Sequence, residues 1–275
     1  MDRNCHDRQS WSLPRRVLRA ALDLCGNAVR RIRTLGWRPA LIGLYVYFGN
    51  MVLRAYNRLP LAARFECPCC GWRGRRYLFH DVIGYYKTDS VCPDCRAHEK
   101  HRWFFLFFQR KLASIPPDGS VVHFAPEPWV SSMLRPKLGR RYVTADLCES
   151  SVDLKADLAA IPLRTAAASS LIVFNVLDYV RRDLVALGEM RRVLGCEGVL
   201  YLHVPLRAGG KPTLQYSCPD PLDSLHIRKY GLDILELFRK SGFRTALVTP
   251  RSMFDRDEIQ RYGLNRDGIF ECFPA

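Results

Sequence analysis

Ser120-Val-Val-His-Phe-Ala-Pro-Glu-Pro-Trp-Val130, with Arg141-Tyr-Val-Thr-Ala-Asp146 shortly after it, decides how this chain folds. The first apolar run stops abruptly at Ala125-Pro126. Trp129, Met133, Leu134 and Leu138 then recur at helical spacing, and a second short apolar run ends in an acid. The pattern reads as strand, loop, helix, strand, which is half of a βαβ nucleotide site. In such a unit the first loop opens onto the helix N-terminus, and an acid about 20 residues on can accept both ribose hydroxyls. Asp146 stands where that acid should stand, although an acid after a strand also serves as a turn or cap residue.

The loop itself is not rich in glycine. Ala125-Pro126-Glu127 puts a carboxylate where a pyrophosphate would sit, and that disfavours a dinucleotide. A ligand with a ribose, an adenine and a positive charge in place of phosphates fits better, and S-adenosylmethionine is such a molecule.

Working outward, the alternation continues. Val152 to Lys155 reads as a third strand ending at Ala156-Asp157-Leu158, and Ala159 to Ala168 as a loop or short helix. Leu171-Ile-Val-Phe174 is a continuous apolar run of the kind a parallel sheet buries on both faces, and it leads into Asn175-Val-Leu-Asp178-Tyr179. A helix from Arg181 to Leu194 turns Leu184, Leu187, Met190 and Val193 inward. The strand Val199 to Val204 is followed by a helix Ile227 to Ser241, a strand Phe243 to Thr249, a helix near Asp255 to Tyr262, and a last strand Ile269 to Phe273 able to run antiparallel. The expected α/β domain, residues 113–275, is a doubly wound seven-stranded Rossmann-like sheet. His123 to Glu127, Asp146, Asp157 and Asn175 to Tyr179 would converge on one crevice at its strand ends.

Between Phe65 and Arg102 the composition changes. Cys67-Pro-Cys69-Cys70-Gly-Trp and Cys92-Pro-Asp-Cys95 form two thiol pairs separated by a strand-like span, Tyr77 to Tyr86. Four thiolates at this spacing suit a closed tetrahedral zinc site formed by Cys67, Cys70, Cys92 and Cys95, with Cys69 spare; such sites stabilise a fold rather than react. The eleven cysteines, an odd number, and the lack of a secretory signal favour a reducing, cytoplasmic setting. A helix Glu99 to Leu112 joins this zinc-ribbon-like module, residues 65–112, to the α/β domain.

The formal charge of +15 on 275 residues is unevenly spread: residues 1–64 hold 12 Arg against three Asp, which is +9 and leaves +6 for the rest. From Ser12 onward Val17, Ala21, Leu24, Cys25, Ala28 and Ile32 recur at helical spacing among arginines, so a basic amphipathic helix opens this helical segment. The uncharged stretch Pro39 to Leu53 is too short to span a bilayer core of about 30 Å. It reads either as an anionic-membrane contact or as a helix that packs Ile42, Tyr45, Phe48 and Val52 on the following domain. Nucleic acid is a third use for the charge, but no binding module accompanies it.

These residues resemble the class I S-adenosylmethionine-dependent methyltransferases, in particular the bacterial subgroup with an N-terminal zinc-ribbon-like module. The resemblance runs from Cys67 to the C-terminus. It rests on the two Cys-Pro-x-Cys pairs, Glu99-Lys-His101-Arg102, His123-Phe-Ala-Pro-Glu127, Tyr142-Val-Thr-Ala-Asp146, Met190-Arg-Arg-Val-Leu194 and His226-Ile-Arg228-Lys-Tyr230-Gly231. It implies that His123, Phe124, Ala125 and Glu127 wrap the methionine part of S-adenosylmethionine, that Asp146 holds the ribose with Leu147 beside it, and that Asp157 and Leu158 meet the adenine. Asn175, Val176 and Leu177 would face the sulfonium. Related chains carry Leu-Glu-His after the fourth strand, where this one has Leu177-Asp178-Tyr179. The general base is therefore expected at His226 or His203, with Tyr179 nearby. The implied activity is O- or N-methylation of a small-molecule, saccharide or lipid-linked acceptor. A catalytically impaired cofactor- or partner-binding relative and a nucleic-acid methyltransferase are the rival readings.

Overall fold

The structure is a computed structural model and describes residues 29–82, 85–116, 118–220 and 225–275. The basic amphipathic helix expected from Ser12 lies outside the described residues up to residue 28; residues 29–35 are helical (α1). The described chain forms two units, residues 1–59 with 78–88 and residues 60–77 with 89–275.

In the first unit, helix α2 (Trp37–Tyr56) packs on a hairpin of β3 (Leu78–Val82) and β4, of which residues 85–88 belong here. Asn50 bonds this strand as another strand would: its Nδ2 donates to the Phe79 carbonyl at 3.1 Å and its Oδ1 accepts from the Phe79 amide at 2.7 Å. Gly49 gives the Phe79 ring its room, since a Cβ there would meet ring carbons at 2.7 and 3.0 Å. Arg31 reaches Asp81 at 2.7 Å. Among the described residues no helix is long and apolar enough to cross a membrane.

In the second unit, β1 (Phe65–Glu66) and β2 (Arg73–Gly74) carry the first cysteine pair. The end of β4 (Tyr85–Val91) leads into the second pair, and helix α3 (Glu99–Lys111) follows. Fully buried Arg102 fastens the cysteine turns to the α/β part. It donates to the carbonyls of Ser90 and Ala97 on one side and of Tyr262 and Gly263 on the other, with the Tyr77 ring 3.8 Å beneath its guanidinium. Gly263 has φ +57 and lies against Tyr77, where a Cβ would come within 2.7 Å, so both backbone and packing require glycine there.

The α/β part is the expected doubly wound seven-stranded sheet. Its strands are β5 (Val121–Phe124), β6 (Tyr142–Asp146), β7 (Leu154–Lys155), β8 (Ala168–Phe174), β9 (Leu194–His203), β12 (Phe243–Val248) and β13 (Ile269–Pro274), in the order β12-β13-β9-β8-β5-β6-β7. β5 to β9 run parallel, and β13 enters antiparallel between β9 and β12. The β8 run Leu171 to Phe174 is buried throughout, as a central parallel strand between two helical layers requires. Helices α4 (Pro128–Leu138), α5 (Asp183–Val193), α6 (Ile234–Lys240), α7 (Pro250–Met253) and α8 (Arg256–Tyr262) complete the unit, with β10 (Leu214–Asp220) and β11 (His226–Lys229) as a separate antiparallel pair.

Three expectations change. The helix expected from Ile227 begins only at Ile234, because His226, Arg228 and Tyr230 alternate at period two and pair as a strand. Leu187, Met190 and Val193 are buried as expected, but Leu184 faces solvent in the first turn of a helix that opens only at Asp183, and Ala186 joins the core instead. Residues 159–167 form turns rather than a helix, tied by Arg192 to the carbonyls of Ile161 and Leu163.

Candidate functional site

From β5 the chain steps outward through β6 to β7, then returns to β8 on the other side of β5. The strand order therefore reverses between β5 and β8. Open α/β sheets bind ligands in the crevice beyond the carboxyl ends of the strands at such a reversal. Both strands end there on a non-glycine residue in the left-handed region: Ala125 at φ 46 and Asn175 at φ 54. The cost, about 1–2 kcal/mol each, is borne by fixed backbone bonds. The Ala125 amide donates to Ala145 at 2.8 Å and the Asn175 amide to His203 at 2.9 Å. Strain held in place beside a crevice is a feature of binding sites.

A cleft of about 520 Å³ opens beside Ala125, lined by Pro126, Ser131, Arg135, Thr144, Asp146 and Glu149 among others. This is a size that holds small ligands, about 300–1,000 Å³. Its free charge is negative. Arg135 is matched by Asp153 at 2.7 Å, and that guanidinium, with Thr144, holds the Asp153 carboxyl down at about 2. Glu149 is held below its ordinary range by hydrogen bonds from Ser151 and Ser150. Asp146 Oδ1 accepts from the amides of Cys148 and Glu149 at 2.7 and 2.8 Å, so this acid closes its own turn and also faces the cleft. Leu147 is exposed beside it. Asp157 is exposed at the end of β7, where its Oδ1 accepts from the Ala159 amide at 2.8 Å, and Leu158 is buried.

Beneath the loop, His123 is fully buried. Its Nδ1 lies 2.7 Å from the Tyr142 hydroxyl and its Nε2 2.9 Å from Glu127 Oε2. Ser131 extends the chain to Tyr142 at 2.7 Å. His123 thus supports the loop from below and gives the nearly buried Glu127 carboxylate a partner. Phe124 and Leu177 are core residues, and Val176 is half-buried.

Of the three residues expected as catalytic, His226 and Tyr179 are brought together. His203 is buried under the sheet end, 3.1 Å from Asn175 Oδ1, and burial, helped by the charge of Lys100, keeps it neutral down to about 3. His226 is half-buried. Its Nε2 lies 2.8 Å from Oδ2 of Asp178, a carboxylate only 3 % exposed, and the Tyr179 ring tilts over the imidazole at 4.6 Å. Asp178 therefore pairs with an imidazole that returns from β11, a partner the linear sequence did not reveal. The signal was present in the alternation His226, Arg228, Tyr230. These side chains bond successive parts of one loop: His226 to Asp178, Arg228 to the carbonyls of Val180 and Arg181, and the Tyr230 hydroxyl to Asp183.

Away from this crevice, the Sγ atoms of Cys67, Cys70, Cys92 and Cys95 all lie within 4.8 Å of one another, with Cys67–Cys95 and Cys70–Cys92 at 3.7 Å. A tetrahedral ion with metal–sulfur bonds of about 2.3 Å has an edge of about 3.8 Å. The cluster fits such an ion and is far too open for disulfides. Each pair closes on a left-handed residue, Gly71 (φ 76) and Arg96 (φ 64), whose amides donate back to Cys67 and Cys92. Without a cation the crowded thiols resist ionising. Cys67 is raised first by its bond to Cys69, Cys92 by its bond to Cys67, and Cys95 is pushed up to about 11 by burial.

No protein-family model and no curated protein matches the chain. Among solved structures it is similar to the geranyl diphosphate C-methyltransferase of Streptomyces coelicolor, solved with geranyl diphosphate and S-adenosylhomocysteine (13% identity over 66% of this chain and 80% of that one, TM-score 0.45). It is also similar to the 1,6-didemethyltoxoflavin-N1-methyltransferase of Burkholderia thailandensis (14%, 62% and 76%, TM-score 0.43), and to an S-adenosylmethionine-dependent methyltransferase of Thermotoga maritima (16%, 64% and 95%, TM-score 0.43). Likeness at this level carries no argument of its own; the fold rests on the strand order and register.

Proposed function

We propose that this protein is an S-adenosylmethionine-dependent methyltransferase acting on the oxygen or nitrogen of a small-molecule, saccharide or lipid-linked acceptor. The observation that carries it is the acid-lined cleft beside the strained Ala125, at the carboxyl ends of β5 and β6. A cationic sulfonium ligand suits a cleft edged by Asp146 and Glu149 whose one arginine is already paired, and a pyrophosphate does not. Asp146 would hold the ribose through Oδ2, Asp157 would meet the adenine amine, and Ala125 to Glu127 would cover the methionine part.

The bound cofactor supplies an activated methyl group, so the protein's work is alignment and, where the acceptor needs it, removal of a proton. His226 is suited to that removal. Its Nε2 lies 2.8 Å from the buried Asp178 carboxylate, which stabilises the imidazolium that forms when the ring takes a proton from the acceptor. Tyr179 lies against the ring, and Arg228 holds β11 to the loop that carries Asp178. This dyad favours turnover over a catalytically impaired role. His203, closed off and neutral, acts instead as a support for Asn175. The four-cysteine cluster would hold zinc structurally, in a zinc-ribbon-like module.

Calorimetric titration of S-adenosylmethionine and S-adenosylhomocysteine into the metal-loaded protein tests this reading. Micromolar binding, weakened at least tenfold in Asp146→Ala, is expected; a folded protein that binds neither overturns it.

A further inference from the structure

We propose that the outward face of α2 docks on the surface of an anionic lipid bilayer. The side of α2 that packs on β3 is already filled: Val46 is buried, the Tyr45 ring stacks on Phe79 at 6.0 Å, and Gly49 and Asn50 admit Phe79 and bond its backbone. Its solvent face carries Trp37 (64% exposed), Leu41 (55%), Phe48 (54%), Met51 (55%) and Val52 (68%). At 100° per residue these five fall on one stripe about 100° wide. A helix of a soluble domain turns such a stripe to its core. Here the core side is already occupied, and the stripe faces solvent. A contiguous apolar patch of this kind marks an interaction surface.

The charge of the segment selects the occupant. From Leu24 to Phe65 the chain contains seven arginines, at 30, 31, 33, 38, 54, 58 and 64, and no acid. Arg31 pairs with Asp81 at 2.7 Å. A second copy of the same face would bring basic segment against basic segment, whereas an anionic bilayer offers the opposite charge to a stretch with seven arginines and no acid. Tryptophan, phenylalanine and arginine together suit the boundary between headgroups and acyl chains, with arginine stems lying along the apolar edge and their heads in the headgroups. The helix then lies in the plane of the surface.

Flotation of the full chain with vesicles of phosphatidylcholine alone, and of phosphatidylcholine with phosphatidylserine, tests the proposal. The protein is expected to float with the anionic vesicles, and more weakly as salt rises. Leu41→Gln/Phe48→Gln/Val52→Gln, on solvent positions that leave the Phe79 contacts intact, should lose binding while melting like the parent. Arg38→Gln/Arg58→Gln, which leaves the apolar stripe whole, should weaken partition by roughly fivefold per arginine. A folded parent that stays with neither vesicle overturns the proposal, as does a triple variant that floats like the parent. A parent that is dimeric by light scattering and becomes monomeric in the triple variant assigns the face to a second copy and also overturns it. None of these readouts depends on cofactor binding, so the methyltransferase reading stands or falls separately.

Discussion

His226 Nε2 lies 2.8 Å from Asp178 Oδ2, and that carboxylate is buried in the single turn Leu177–Tyr179 that follows β8. An acid in that place with no cation beside it would be costly, so the pair is a unit rather than a chance neighbour. His226→Gln and Asp178→Asn should each lower methyl transfer by about 10²–10⁴-fold and leave cofactor affinity within a few fold. Single-turnover rates set beside calorimetric binding separate the two effects. Loss of binding in step with loss of rate would make the pair structural.

The cysteine cluster makes a prediction about metal. Cys67→Ser should release one zinc equivalent, measured by elemental analysis, and should unfold the turns that Arg102 fastens to α8. Structural zinc contributes on the order of 10 kcal/mol to such modules. Chelation of the parent protein should produce the same loss of melting temperature. A Cys67→Ser protein that keeps its metal and its melting point refutes the assignment.

Acid should destabilise the fold early. Burial keeps His203 neutral down to about 3, and His101, stacked on Trp129 at 4.3 Å, is held at about 3 by burial with Lys100 and His98 nearby. Unfolded, both titrate near ~6.5. Between these values the unfolded chain binds more protons, so stability falls as pH drops through the window, by up to ~1.4 kcal/mol per pH unit for each imidazole. Urea midpoints taken between about pH 6.5 and 5, above most carboxylate titration, should show this slope. His203→Leu should flatten it by about one proton; an unchanged slope would mean that His203 is charged in the folded state.

Two glycines of α2 should differ in their tolerance of a methyl group. Gly49→Ala drives a Cβ into the Phe79 ring at 2.7 Å and should cost about 1–3 kcal/mol. Gly43→Ala meets the far end of the flexible Arg31 side chain, which can shift while keeping its pair with Asp81, and should cost less, about 1 kcal/mol. Chemical denaturation of both variants makes the comparison, and equal losses would show that α2 does not rest on Phe79.

Much of this was legible in the chain itself. Most of the seven sheet strands are announced by apolar runs, from Val121 to Phe124 through Ile269 to Phe273, and the two cysteine pairs by their spacing, because strand periodicity and knuckle turns are decided by neighbours a few residues apart. The acid at the tip of β6 was likewise visible as Asp146. The stretch from Ile227 to Asp233 reads as the start of a helix in the sequence and is strand and turn in the structure, because its polar residues alternate for reasons found only in the 178–183 loop they meet.

What the sequence alone determined is therefore the succession of strands and helices along the chain, the acid at the tip of the second strand and the four-thiol pattern. Only the tertiary structure decided that Asp178 meets His226 rather than water, that His203 is shut in and neutral, and that the apolar stripe of α2 is turned outward. Pairing and burial depend on which distant surfaces come together, and no local periodicity encodes that.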